Sequence, residues 1–410
     1  MPNNIISQCL NLSNVKVVSV KVVSCLVQNK EAHFILARDL SKGLCCSHCR
    51  KLVSRASLYR KIKLRDLPVF NHKSWLVLNK YRVHCITCGF KSEALDFALP
   101  FSRCTIRFEE LAAMMCRITS VKQTAEFLNL DWKTVKGIDK RYLQKQFALP
   151  DYSSLTQIAI DEISSRKGHN YFTIVLDLNR TRVVWVGKGR KQETLDRFFK
   201  ELGPLKAKEL RATAIDMWDP YIASLRKHSP HARIVFDKFH VLKMFSSVID
   251  RVRNNEYRKA SKKDKEVIKD SKYLLLKNRQ NLTKNQKRDE KKDLRRLLKL
   301  NKNINLVYIL KADLKRLWNY RYPACAQKFL DSWIQIARAA NIRPLTAFTK
   351  TLKRYSYGLI NHCYYPIDTA KLEGMNNKIK VVKRIAYGFH DDEYFILKIK
   401  QACCGYENTT

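Results

Sequence analysis

Four cysteines in two pairs, Cys46-x-x-Cys49 and Cys85-x-x-Cys88, place the tightest constraint on this chain. Each pair offers two thiolates from a single turn. Two such turns close a tetrahedral site around one zinc ion (Zn2+) when the strands between them bring the turns together. Four unrelated core cysteines would not need this spacing. Cys45 adjoins the first pair as a competing ligand, and His48 and His84 stand close by. The surrounding sequence is rich in β-branched residues at Val15 to Val27 and Leu76 to Val83, so residues 1–100 read as a strand-built zinc-ribbon module. Between the pairs run Arg50, Lys51, Arg55, Arg60, Lys61, Lys63 and Arg65, a distribution suited to gripping phosphate.

The same sign of charge prevails elsewhere. Lys and Arg outnumber Asp and Glu by 79 to 37, and the formal net charge of +42 exceeds what solubility requires and points to nucleic acid as a partner. The length of 410 residues allows two to four domains, and 45% hydrophobic content suits folded ones. Lys16 and Lys21 interrupt the valine-rich N-terminal stretch, which reads as a strand and neither as a signal peptide nor as a membrane span. Thirteen cysteines, odd in number and mostly scattered, argue for reduced thiols in the cytoplasm.

From Phe108 the apolar spacing turns helical. Ser120 is a helix cap with Gln123 at the reciprocal position, Asn129-Leu130-Asp131 makes a turn, and Trp132 to Lys140 supplies a second helix. Residues 101–150 therefore read as a helix-turn-helix, with Lys133, Thr134, Lys136 and Lys140 near the groove or the backbone of DNA. A plain helical hairpin would share this periodicity.

Another domain opens near Leu155. Asp161 closes the apolar run Ile158-Ala159-Ile160 and Asp216 closes Ala214-Ile215, which sets both carboxylates at the C-terminal edge of a sheet. Tyr171 to Leu178 and Arg182 to Val186 read as strands, and Gln192 to Leu202 as a helix. A short helix from Tyr221 and the strand Ile234 to Phe236 follow Asp216. Three antiparallel strands, a helix, a strand, a helix and a strand is the order of the ribonuclease H fold. A much longer stretch then separates Asp216 from Glu373. Within it residues 251–320 carry 23 Lys or Arg against 8 Asp or Glu among leucine-bearing runs, so 251–355 read as a basic helical insertion, with Pro323 and Pro344 at helix breaks. It splits the α/β domain into residues 151–250 and 356–410. Glu162, Asp177, Asp219, Asp237, Asp368 and Glu393 are competing carboxylates. Asp219, ahead of Pro220, reads as a helix cap, Asp237 as the opening of the next helix, and Trp185 and Trp218 as core.

Four segments, in order, resemble the DDE transposases of bacterial insertion sequences, in particular the ISL-three (ISL3) family. They are Ile158-Ala159-Ile160-Asp161-Glu162-Ile163-Ser164, Ile215-Asp216-Met217-Trp218-Asp219-Pro220-Tyr221, Phe236-Asp237-Lys238-Phe239-His240-Val241, and Leu372-Glu373-Gly374-Met375-Asn376-Asn377-Lys378-Ile379-Lys380 with Lys383-Arg384 and Tyr387-Gly388-Phe389. With the N-terminal features the resemblance spans nearly the whole chain. Ala370 and Lys371 depart mildly from the smaller or more polar residues expected there.

The resemblance implies a multidomain α/β protein: a ribonuclease H-like mixed sheet interrupted by a helical insertion and preceded by a zinc ribbon and a helix-turn-helix. It also implies a DNA transposase in which Asp161, Asp216 and Glu373 hold two Mg2+ ions, for which Mn2+ can substitute. Asp237 and His240 resemble an accessory pattern of several transposase groups, and Asn376 and Asn377 lie one turn after Glu373. Lys378, Lys380, Lys383 and Arg384 suit phosphate contact. The implied partners are double-stranded DNA, as terminal inverted repeats and as target, and further copies of the chain on paired ends; the implied location is the cytoplasm, with the bacterial nucleoid. Two other classes share parts of the pattern. A DNA-binding regulator with a catalytically dead C-terminal half would tend to lose one of the carboxylates, whereas a metal-dependent nuclease without strand transfer would keep them all.

Overall fold

The computed structural model describes residues 3–12, 14–24, 30–70, 72–166, 170–269, 271–276, 284–367 and 370–404. The chain divides into two compact units, Met1–Ala148 and Leu149–Thr410.

In the first unit, α1 (Asn3–Leu10) precedes β1 (Val15–Ser24) and β2 (Lys30–Arg38), the short pair β3 (Leu44–Cys45) and β4 (Leu52–Val53), the long hairpin β5 (Ala56–Val69) and β6 (His72–Cys85), and β7 (Gly89–Ser92). Residues 25–27, the expected end of the first strand, lie outside the described residues. The main sheet has the order β1-β2-β6-β5, with β7 paired to the end of β6; β2 and β6 run parallel and the other neighbours antiparallel. Alternation along the strands buries Ala32, Phe34 and Leu36 on β2 and Leu76 and Leu78 on β6, where Leu95 and Phe97 cover them. The helices α2 (Ile106–Ile118), α3 (Val121–Leu128) and α4 (Trp132–Gln146) follow. Two ion pairs with buried carboxylates fix them: Arg107 of α2 grips Asp66 of β5, and Arg141 of α4 donates to Glu109 of α2 at 2.8 Å. A buried carboxylate left without its partner would be strongly destabilising.

The second unit is built on a five-stranded sheet. Its elements run β8 (Gln157–Arg166), β9 (Asn170–Asp177), β10 (Arg182–Lys188), α5 (Gln192–Leu202), α6 (Pro204–Glu209), β11 (Ala212–Ile215), α7 (Asp219–His228) and β12 (Arg233–Phe236). The strand order is β10-β9-β8-β11-β12, antiparallel among β8, β9 and β10 and parallel from β8 through β11 to β12. Next come α8 (Lys238–Lys259), α9 (Lys262–Ile268), α10 (Lys272–Leu276), α11 (Lys284–Leu300), α12 (Lys302–Leu314), α13 (Pro323–Ala339), α14 (Arg343–Arg354), α15 (Ser356–Ile360), α16 (Ala370–Ile385) and α17 (Asp392–Cys403).

Each sheet face has its own core. Ile158, Ile160, Ile215 and Phe236 pack with α5, α7 and the helices from α8 to α15. Ala159, Ile163, Ala214 and Phe172 pack with Leu372, Met375 and Ile379 of α16 and Phe395 and Ile399 of α17. The stripe Val241, Phe245, Val248, Ile249 and Val252 makes α8 a single helix through position 250, so the helical layer begins directly after β12. Pro323 and Pro344 both sit in first helical turns, where a missing N–H costs nothing. Among the described residues, no helix is long and apolar enough to cross a membrane.

Candidate active site and DNA-binding elements

The two aspartates meet because their strands share a register. Ala159 of β8 pairs with Ala214 of β11 in parallel, and in each strand the aspartate stands two residues further on. Side chains two apart point to the same face of a sheet. Asp161 and Asp216 therefore point to the same face, the one that α16 covers. Asp216 directly follows β11 as expected, whereas Asp161 lies inside β8, because pairing with β9 carries that strand on to Arg166 instead of ending it at the carboxylate.

Oxygen atoms of Asp161 and Asp216 and a ring nitrogen of His240 lie within 4.8 Å of one another. Asp237 caps α8 by accepting from Phe239 N, and it places His240 one turn on. His240 Nδ1 then stands 2.5 Å from Asp216 Oδ1 and 3.0 Å from Asp237 Oδ2. Burial acts to lower the imidazole pKa, but the bonds to Asp216 and Asp237 outweigh it and raise it to about 10. His240 is thus a cation facing the aspartates. Burial, and then the charge of Asp216, push the Asp161 carboxyl upward, against N–H bonds from Glu162 and Asn376. Adjacent half-buried carboxylates are the hard-oxygen set that a divalent cation relieves, so the donors fit magnesium.

Glu373 lies exposed on α16, one turn before Asn376, whose amide donates to Asp161. Positions three apart share a helix face. Glu373 is therefore carried on the face that reaches Asp161, although Asp161, Asp216 and His240 form the close group. Lys383 donates to the Ser164 carbonyl at 3.0 Å, tying the other end of α16 to β8. Asn377 accepts from Lys380 at 3.4 Å, and Lys378, Lys380 and Arg384 are exposed. Asp368 lies outside the described residues.

Two sequence readings are corrected here. Trp218, not Asp219, is the cap of α7; Asp219 instead accepts from Tyr355 Oη at 2.8 Å and Arg354 at 2.9 Å. Trp218 is not core, because 37% of its surface is exposed beside Arg190, whereas Trp185 is buried. Sequence reasoning missed Arg190, whose guanidinium lies 3.7 Å from Glu162. A lone Arg in a loop carries no signal of its own.

In the first unit, the four sulfurs of Cys46, Cys49, Cys85 and Cys88 lie within 4.8 Å of one another, from the β3–β4 and β6–β7 turns. The Cys49 amide lowers the Cys46 pKa, and the Cys88 amide brings Cys85 down to about 7. Burial and the neighbouring thiols push Cys88 up to about 12. Such crowded thiols fit the preference of zinc. On α3, Ser120 and Gln123 form the reciprocal cap, and Asn129 ends the helix in the left-handed conformation. Val135, Ile138 and Leu143 of α4 are buried, Lys133 and Thr134 are exposed, and Lys136 and Lys140 are half-buried.

Residues 158–399, from β8 into α17, match a family model described as a transposase, of ISL3 type. The chain belongs to the ISL3 family of transposases. Residues 93–143, which contain α2, α3 and most of α4, match the helix-turn-helix domain of transposase family ISL3. Residues 43–88, which contain the four clustered cysteines, match the zinc-finger of transposases IS204, IS1001, IS1096 and IS1165. The chain is 36% identical over 375 residues to the transposase for insertion sequence element IS1001 of Bordetella parapertussis, covering 90% of this chain and 91% of that relative. It is 24% identical over 403 residues to the transposase for insertion sequence element IS1557 of Mycobacterium tuberculosis, covering 92% and 90%. This chain is accordingly a DNA transposase with DNA-binding helices and a zinc-finger segment.

Proposed function

We propose that this transposase binds the terminal inverted repeats of its insertion sequence, cuts the DNA there, and joins the cut ends to target DNA at a DDE site on a ribonuclease H-like sheet. The observation that carries the reading is the convergence of Asp161 and Asp216 from adjacent parallel strands, with Asn376, one helical turn after Glu373, bonded to Asp161. Asp161, Asp216 and Glu373 would hold two magnesium ions, for which manganese can substitute. When bound, these ions supply Lewis-acid chemistry that favours the attacking oxygen and the leaving oxygen of a phosphodiester. Asn376 orients Asp161, and His240, held by Asp237, orients Asp216. The strand order, three antiparallel strands followed by two parallel ones, supports the ribonuclease H-like reading.

Cys46, Cys49, Cys85 and Cys88 would hold one structural zinc and so keep the basic β3–β6 segment in shape. Lys133, Thr134, Lys136 and Lys140 would meet the repeat, and Lys378, Lys380, Lys383 and Arg384 the phosphates beside the cut. Paired ends call for at least two copies of the chain, acting at the nucleoid.

The test is cleavage of a duplex carrying the element's own terminus. Asp161→Asn and Asp216→Asn should each lose several orders of magnitude in magnesium-dependent cleavage while retaining duplex binding. Wild-type cleavage by either variant would refute the assignment.

A further inference from the structure

Between β10 and α5, an open-sided cavity of about 550 Å³ is lined by Tyr171, Gly189, Arg190, Lys191 and Thr194. The mechanism above does not use it. Its volume lies in the range of pockets that hold a single small ligand, and it cannot admit a duplex. Arg190 is held in place at its rim. The guanidinium lies 4.2 Å from the Tyr171 ring centre and 5.3 Å from that of Trp218, and Trp218 Nε1 donates to the Arg190 carbonyl at 3.1 Å. A planar cation held against two rings has a restricted orientation, which suits its fork of donors to phosphate.

The other cations differ in availability. Lys188 is paired with Asp392 at 2.6 Å, and Arg197 donates to the Lys188 carbonyl at 2.7 Å. Lys191 is exposed and adjoins Arg190. Glu193 also lines the cavity and Glu162 lies 3.7 Å from Arg190, so Arg190 and the exposed Lys191 supply its cationic groups against two carboxylates. Trp218 presents a partly exposed ring, a flat apolar surface suited to a nucleobase. The rim of the cavity connects to Asp216 through the chain, because the Trp218 amide donates to the Asp216 carbonyl at 2.7 Å.

We infer that the rim of this cavity seats one unpaired nucleotide of the cut DNA, its base on Trp218 beside Arg190 and its phosphate on Arg190 and Lys191. The inference rests on reading Asp161 and Asp216 as the cutting site. It goes beyond that reading, because it requires the DNA strand to leave the duplex at the site.

Binding measured without divalent ion, and hence without cleavage, tests the inference separately from the catalytic assignment. The full-length protein is titrated with a blunt duplex and with the same duplex bearing a short unpaired tail that contains 2-aminopurine. The wild type should prefer the tailed DNA by about tenfold, with the probe quenched by stacking. Trp218→Ala should lose both preference and quenching while binding the blunt duplex as before, and Trp218→Phe should keep most of the preference. Lys191→Ala should weaken binding to the tailed DNA alone. A wild-type protein that shows neither preference nor quenching overturns the inference, and so does a folded Trp218→Ala that retains both. If these results coincide with cleavage lost in Asp161→Asn, the nucleotide seat fails and the catalytic reading stands.

Discussion

Asn376 donates its side-chain amide to Asp161 Oδ2, joining two residues 215 positions apart in sequence. Through this bond α16 is pinned to the middle of β8, one helical turn after Glu373. Asn376→Ala should leave DNA binding intact and lower cleavage by about tenfold, the effect of losing roughly one charge-assisted hydrogen bond. Asn376→Asp should be worse, because it sets a third negative charge against a carboxyl already pushed upward by burial and by Asp216. Comparing cleavage by the two variants checks the order; equal and near-native rates would contradict the positioning role.

His240 gives the metal-free protein a specific pH dependence. Its folded pKa of about 10 lies above the ordinary value of 6.5, so pairing with Asp216 and Asp237 contributes stability that is fully present below pH 6.5 and lost as pH rises through about 10. His240→Ala should lower the thermal midpoint at neutral pH, and the gap to wild type should close above about pH 10. A gap that stays constant across that range would show that His240 stabilises by packing alone.

Cys49 and Cys85 come from different turns, and their sulfurs stand 3.5 Å apart. Cys49→Ala should take bound zinc from about one per chain to near none, and the four-strand framework around Leu44, Val83 and Cys46 should lose protection from hydrogen exchange. Full protection in a zinc-free protein would contradict a structural metal.

On α11, Leu294 and Leu297 are buried while Lys291, Lys292, Arg295 and Arg296 face solvent. Reversing those four charges should weaken binding to all duplexes alike and flatten the dependence of affinity on salt, since clustered cations act through counterion release. Changed sequence preference at an unchanged salt slope would argue for base readout instead.

Features set by local patterning were legible in the sequence. The cysteine spacing, the Ser120 and Gln123 cap, and the position of Asp216 after its strand are all local, and the structure builds each as expected, whereas Asp161, expected to end its strand, lies inside β8 because pairing with β9 extends it. The strands around Asp161 and the helix Gln192–Leu202 were legible by the same periodicity. What escaped depends on contacts between distant residues. Asp219 reads as a cap because it precedes Pro220, yet Arg354 and Tyr355 claim it from 135 and 136 positions away. Trp218 reads as core because large aromatics usually are, yet the Arg190 loop holds it at the surface. The bond that joins α16 to Asp161 shows the same limit, since it is made by Asn376 from 215 positions away.

The most direct test of the DDE assignment is cleavage by Glu373→Gln in magnesium or manganese, measured on the element's own terminal DNA. The change keeps shape and helix propensity and removes only the charge. The account predicts native DNA binding with cleavage reduced by several orders of magnitude, and near-native cleavage by Glu393→Gln, an exposed carboxylate at the start of α17. A Glu373→Gln protein that cleaves at the native rate would contradict the account and leave Asp161, Asp216 and a different carboxylate as the metal-holding set.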